Sequence, residues 1–127
     1  MQTRSLSIIS RQTADFANTS ATPVNVLGHV ITVPEDGNYD IVDSVLPYPD
    51  TDGDFAFYRL AVNGDPIACG SGSYFTKLGF SPATLVVFNI ALKTSDVVSL
   101  QGWYGVGVNM FRCTSNGERL QIIKRGL

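Results

Sequence analysis

The stretch VPEDGNYDIV, residues 33–42, contains the corner on which the expected fold depends. Pro34 cannot continue a central strand and Gly37 permits a tight turn, so we expect the chain to reverse between them. Strand alternation then places Tyr39 and Ile41 on a common face of the next strand. The acidic residues of the turn are expected to keep this corner in water, and not to form a chemical site.

Outward from this corner, runs of β-favouring residues separated by Gly, Pro, Asn and Asp recur along the chain, without sustained helical periodicity. Asn63-Gly64 and Asn116-Gly117 are the strongest hairpin signals, because both central residues of the favoured two-residue turn need positive φ. This spacing predicts an all-β sandwich or barrel. The predicted strands occupy residues 6–9, 24–33, 38–46, 55–63, 66–69, 85–92, 97–104, 108–114 and 119–125.

The composition fits one domain with a single core. Of 127 residues, 44% are hydrophobic and only 16% are charged. Nine basic and eleven acidic side chains leave a net charge of −2 without a positive stripe, which argues against nucleic-acid binding. No apolar run reaches the roughly 18 residues of a membrane span, and the first residues do not form a signal peptide. We therefore expect neither membrane insertion nor secretion through a signal peptide.

Several predicted strands are apolar on both faces. Since one face fills the sandwich core, the other needs a partner, and we expect that partner to be another copy of the chain. In the strand at 55–63, one face carries Ala56, Tyr58, Leu60 and Val62, while the other begins with Phe55 and Phe57. In the strand at 85–92, one face would carry Val86, Phe88, Ile90 and Leu92. The candidate interface residues are Phe55, Phe57 and Ile123.

Four stretches stand in an order that resembles a known family. They are VPEDGNYDI (33–41), FYRLAVNGDPI (57–67), LVVFNIALKTSDVVSLQGW (85–103) and RLQIIKRGL (119–127). The family is the jelly roll of the globular head of the first complement component and of the tumour necrosis factor superfamily. Ser95 stands where this family usually has the Gly of a Gly-Asp turn.

The resemblance implies an antiparallel two-sheet jelly-roll sandwich that forms a homotrimer, with one sheet of each subunit around the three-fold axis. It also implies a binding or structural module, and not an enzyme. Residues 24–127 would be the jelly-roll domain. Residues 1–23 would be an N-terminal arm or an edge strand.

Catalytic signals are weak. His29 is the only histidine, so any Ser-His-Asp or Cys-His arrangement would have to include it, and a sheet position without catalytic duty is favoured. Cys69 and Cys113 lie far apart without metal or redox spacing. Two buried thiols are therefore favoured over a disulfide.

Two groups of residues are candidates for ligand binding in loops. Asp50, Asp52 and Asp54 follow each other in PDTDGDF (49–55), a density of carboxylates that calcium favours, although the spacing is not that of an EF-hand and an ordinary turn is preferred. Trp103 and Tyr104, flanked by glycines, are candidates for a sugar platform, although packing is again preferred. No cofactor other than this alternative calcium is expected.

Two functions remain in competition. The first is a structural protein of a bacteriophage virion, made in the host cytoplasm, that decorates the capsid as a cement protein or forms a short head or tail appendage. Its partners would be its own copies and capsid or other virion proteins. The alternative is a soluble recognition module, lectin-like or a receptor-binding tip, that binds a host-surface glycan or a protein through apical loops.

Overall fold

The computed structural model describes residues 6–18, 22–49, 55–69, 73–74, 83–104, 109–113 and 117–126. These residues form twelve strands. In chain order the strands are β1 (Leu6–Arg11), β2 (Phe16–Asn18), β3 (Val24–Thr32), β4 (Gly37–Val45), β5 (Pro47–Pro49), β6 (Phe55–Val62), β7 (Asp65–Cys69), β8 (Ser73–Tyr74), β9 (Ala83–Leu92), β10 (Val97–Tyr104), β11 (Asn109–Phe111) and β12 (Arg119–Lys124). Within the described ranges, no helix is long and apolar enough to cross a membrane.

The strands form two main antiparallel sheets. The first sheet has the order β1-β12-β4-β9, and the second has the order β3-β10-β6-β7 with β8 paired to β6. A small sheet, β2-β11-β5, lies beside them. The predicted antiparallel two-sheet sandwich is confirmed. β1, which falls in the range treated above as an arm or edge strand, lies at an edge of the first sheet and pairs with β12.

The core lies between the two sheets and is built from alternate residues of each strand. Tyr39 and Ile41 are fully buried there, as the opening corner predicts, and the Tyr39 hydroxyl donates to the Glu35 carbonyl at 2.7 Å. Apolar side chains of β3, β6, β10 and β12 complete it, among them Val26, Leu60, Leu100, Leu120 and Ile122. Removing one such large side chain typically costs about 2–5 kcal/mol.

Side chains and backbone groups join three turns at one end of the sandwich. Asn63 and Gly64 have φ of 52° and 84°, the tight hairpin that the sequence predicts. The Asp96 carboxylate accepts hydrogen bonds from the Asn63 amide at 2.9 Å and from the Lys93 N–H at 2.8 Å. The Val33 N–H donates to the Asp96 carbonyl at 2.8 Å. The opening corner is therefore tied to the turns that follow β6 and β9.

A bulge in β9 corrects one predicted face. Tyr39 pairs with Ile90 but Ile41 pairs with Val87, so β9 has one extra residue at this point, where Asn89 has a φ of 56°. Beyond the bulge the alternation reverses. The prediction that placed Val86, Phe88, Ile90 and Leu92 on one face is therefore wrong: Ile90 and Leu92 face the core with Leu85 and Val87, and Val86 and Phe88 face outward.

Candidate functional site

The outer face of the first sheet carries a row of three apolar residues and one glutamine across its four strands. Pairing places Ile9 opposite Gln121, Gln121 opposite Val42, and Val42 opposite Val86. Ile9 is 42% exposed and Val86 is 40% exposed. The outer face of an antiparallel sheet is normally polar, so this row is an unusual surface for a domain that stands alone.

Phe88 is the most exposed large apolar side chain among those described, at 69%. The β9 bulge determines its outward direction. The Asp40 carboxylate accepts the Asn89 N–H at 2.9 Å and the Arg125 Nε–H at 2.8 Å, so β4 and the end of β12 both hold the bulge. These hydrogen bonds, that of Asn89 foremost, lower the pKa of Asp40 below its ordinary value. The row across the four strands, together with Phe88, is called the outer patch below.

The structure separates the predicted interface residues. Ile123 lies on β12 beside the outer patch, where it pairs with Ser7. Phe57 lies on β6 in the second sheet, and its neighbour Tyr58 faces the core. Ile123 and Phe57 therefore lie on opposite outer faces of the sandwich and do not form one surface. The Phe55 side chain lies outside the described residues.

On the outer face of the second sheet, Phe57 and Trp103 form a cross-strand stack. Their ring centroids lie 5.5 Å apart with an interplanar angle of 9°. The Arg59 guanidinium also lies 5.5 Å from the Trp103 ring centroid, and its Nε–H donates to Gln101 Oε1 at 2.9 Å. The indole is thus engaged by neighbours in its own sheet, which favours the packing interpretation of Trp103 over a sugar platform.

Several predicted site residues are not described by the structure. Asp50, Asp52 and Asp54 lie outside the described ranges, and so do the side chains of Tyr104 and Cys69. Among the residues that are described, no group of three His, Cys, Asp or Glu side chains could hold a metal ion. The preference for an ordinary turn over a calcium site at 50–54 therefore stays a prediction. Cys113 donates its thiol hydrogen to the Gln12 carbonyl at 2.9 Å.

Sequence reasoning missed a buried polar cluster formed by Gln12, His29 and Asp43. Both His29 and Asp43 are fully buried. His29 Nδ1 lies 2.7 Å from Asp43 Oδ2, and His29 Nε2 lies 2.7 Å from Gln12 Oε1. This arrangement of ring and carboxylate resembles that of a catalytic pair, but its burial leaves no access for a substrate. The cluster is therefore a structural element of the core.

A second bulge, in β3, turns His29 inward. Ser99 pairs with Val30 and Gln101 pairs with Asn25, so β3 has three more residues than β10 between these two pairs. Gly28 has a φ of 88°, and a Cβ at this position would lie 2.7 Å from the Gln12 Cα. Only glycine fits both constraints. A glycine next to a polar residue within an otherwise apolar strand is the sequence signal that could have indicated this bulge.

The burial of Asp43 changes its protonation. Desolvation raises the pKa of Asp43 to about 6, and the hydrogen bond from His29 opposes this rise. Asp43 Oδ1 has no hydrogen-bond partner among the described residues. An aspartate side chain that is buried in this way is protonated over a wider pH range than an exposed one.

The likeness of this fold to known structures confirms the resemblance seen in the sequence. No protein-family model and no curated protein matches the chain. Among solved structures, Eiger TNF from S. frugiperda is 13% identical with a TM-score of 0.57, over 97% of this chain and 92% of that chain. The globular domain of zebrafish complement 1qA is 14% identical with a TM-score of 0.54, over 99% and 97%. Murine APRIL is 10% identical with a TM-score of 0.55, over 88% and 98%.

These likenesses establish a fold class. The chain is an all-β sandwich with the jelly-roll fold of the tumour necrosis factor and complement C1q type. At these identities the comparison concerns the fold alone, and the function has to be argued from the surfaces of this chain.

Proposed function

We propose that the chain is a non-enzymatic assembly module that forms a homotrimer through the outer patch and binds a larger surface as that trimer. The fold is generally a binding and assembly scaffold, and C1q and TNF domains commonly form homotrimers. In its specific form, the proposal is that the trimer is a bacteriophage virion component that decorates the capsid or forms a short appendage.

The exposure of Phe88 carries this proposal. The Phe88 ring is 69% exposed and lies on the same strand as Val86, which stands in the row of Ile9, and together they give the outer patch an apolar character. Fully burying one such side chain stabilises an interface by about 1.5–3 kcal/mol. The bulge that directs Phe88 outward is stabilised by the hydrogen bond from Asn89 to Asp40, which also accepts from Arg125. The outward direction of the ring therefore follows from the backbone of β9.

A matched pair of valines tests the interface. Val86 on the first sheet is 40% exposed and Val30 on the second sheet is 39% exposed. We expect the wild-type protein to have three times its 13.7 kDa chain mass by light scattering at micromolar concentration. Val86→Lys should lower the mass to that of one chain, because it places a charge in the patch. Val30→Lys should leave the trimer intact.

A wild-type mass of one chain would overturn the trimer, and a Val86→Lys variant that keeps the mass of three chains would overturn the outer patch as its interface. Circular dichroism of both variants checks that the fold is retained. If Val30→Lys alone dissociates the protein, the interface lies on the second sheet.

The virion location needs a separate measurement. Mass spectrometry of gradient-purified particles, from a phage that encodes this chain, should detect it in stoichiometric amounts. A chain that is abundant in the lysate but absent from the particles would contradict the virion proposal while leaving the trimer unaffected. A recognition module would then be tested by glycan and host-surface binding.

A further inference from the structure

We propose that Gln12, His29 and Asp43 form a proton-dependent latch in the core. His29 and Asp43 share one proton, and loss of this proton as the pH rises disconnects the β3 bulge from the segment that follows β1 and from β11. The proposal concerns the stability of the single chain and does not depend on its assembly.

Gln12 fixes the protonation of one ring nitrogen. Its amide nitrogen donates to the Phe111 carbonyl at 2.8 Å and to the Ala14 carbonyl at 2.9 Å, which uses both amide hydrogens. Gln12 Oε1 therefore faces His29 Nε2, at 2.7 Å. An amide oxygen can only accept, so Nε2 must carry a hydrogen.

The other ring nitrogen then requires one more proton. His29 Nδ1 and Asp43 Oδ2 lie 2.7 Å apart, which is a hydrogen-bond distance that needs a hydrogen between the two atoms. With Nε2 already protonated, this is met either by an imidazolium and a carboxylate or by a neutral ring and a carboxylic acid. Both forms contain the same single extra proton, which the two residues therefore share.

Removing that proton leaves no satisfactory arrangement. If Nε2 keeps its hydrogen, the lone pair of Nδ1 faces the Asp43 carboxylate. If the hydrogen moves to Nδ1, the lone pair of Nε2 faces Gln12 Oε1. Rotating the Gln12 amide would then direct its oxygen at the carbonyls of Phe111 and Ala14. Each of these contacts is repulsive in a buried site.

Among the described neighbours of Asp43 in its own sheet, none offers a substitute partner. Opposite Asp43, β12 and β9 present Leu120 and Leu85. Arg11 and Arg119 pair with each other on the outer face of the first sheet. His29 is the ion-pair partner of Asp43 among the described residues.

Two other titratable residues lie close to Gln12. The Cys113 thiol donates to the Gln12 carbonyl, and the Glu118 carbonyl accepts the Gln12 N–H at 3.0 Å. Both contacts are to the Gln12 backbone and leave its side-chain oxygen to His29.

The sign of the pH effect follows from counting protons. In an unfolded chain, histidine titrates near ~6.5 and aspartate near ~3.9, so above about pH 6.5 the two residues hold no extra proton. The folded pair keeps one as long as the hydrogen bond between His29 and Asp43 is retained, so stability falls as the pH rises above this value. The latch therefore contributes most to the stability of the fold in mildly acidic solution.

Asp43→Asn tests the latch because it mimics the protonated form without a titrating group. The new amide can donate to Nδ1 of a neutral His29, whose Nε2–H stays on Gln12. We expect the wild-type melting temperature to fall between pH 6 and 8.5 by several degrees, and that of Asp43→Asn to stay nearly constant over this window. Asp65→Asn, at an exposed position on β7, is the matched control and should keep the wild-type dependence.

A variant with the same slope as the wild type would overturn the proposal. A second measurement on the unaltered protein guards against misfolding of Asp43→Asn. Because His29 is the only histidine, its ring nitrogens give unambiguous nitrogen-15 NMR signals. At pH 5.5 we expect Nε2 to be protonated. An unprotonated Nε2 at this pH would also overturn the latch.

Discussion

The Asp36 carboxylate accepts two hydrogen bonds from Thr94, which lies 58 residues further along the chain: one from its backbone N–H at 2.8 Å and one from its hydroxyl at 3.0 Å. Asp36 belongs to the opening corner, and Thr94 belongs to the turn between β9 and β10. Asp36 therefore does more than keep this corner in water. It accepts hydrogen bonds from a neighbouring turn.

The first prediction concerns acid stability. Hydrogen bonds to backbone N–H groups are the largest cause that lowers the pKa values of Asp36, Asp40 and Asp96. Since a lowered pKa stabilises the fold above the unfolded value near ~3.9, this stabilisation is lost as the pH falls through the folded values. Asp36→Asn should reduce the urea midpoint at pH 7 and make its fall towards pH 2.5 shallower. An unchanged acid dependence would contradict this role.

The second prediction concerns Ser95, whose φ is 74°. A left-handed conformation costs a non-glycine residue about 1–2 kcal/mol. Glycine avoids this cost, but it loses more backbone entropy on folding, which offsets part of the gain. Ser95→Gly should therefore stabilise the protein by about 0.5–1 kcal/mol in urea unfolding. Ser44→Gly, within the extended strand β4, is the control and should destabilise it.

The third prediction distinguishes the cost of a left-handed backbone from the cost of a steric clash, at two glycines. Gly28 and Gly64 have φ of 88° and 84°, but a Cβ meets Gln12 backbone atoms at Gly28 and meets nothing within 4 Å at Gly64. Gly64→Ala should cost about 1 kcal/mol, from the dihedral alone. Gly28→Ala should cost at least ~2 kcal/mol more, since the segment after β1 must move. Equal losses would show that the close approach is not limiting.

The fourth prediction uses Trp103, the only tryptophan. Phe57→Ala removes the ring stacked on it and should shift its fluorescence emission to longer wavelength, with a loss of about 0.5–1.5 kcal/mol in stability. Phe88→Ala, on the first sheet, should leave the emission maximum unchanged. A shift in both variants would place Trp103 near the outer patch and contradict the assignment of faces.

Local signals in the sequence predicted the sandwich and most of its strands, because strand alternation and turn residues act over a few positions. Asn63-Gly64 formed the expected hairpin, and Tyr39 and Ile41 faced the core as expected. The short strands β2 and β5 were missed. Each has only three residues and depends on pairing with β11.

The failures arose where a distant residue determines the local backbone. Asn89 adopts positive φ at the bulge, where Asp40 on another strand accepts its N–H, and the alternation reverses after Phe88. His29 meets Gln12 and Asp43 only after β3, β4 and the segment after β1 have assembled. Side chains separated in this way leave no periodic pattern, so strand periodicity alone could not locate either the outer patch or the latch.

The position of β12 between β1 and β4 affects the folding of the chain as well as the folded structure. The pairing of β1 with β12 joins residues more than a hundred positions apart, such as Leu6 and Lys124, and contacts of such high sequence separation slow folding. Until β12 docks, β1 and β4 each present an unpaired edge, and such edges favour aggregation. The chain therefore remains prone to aggregation until β12 has been synthesised and has paired with both strands.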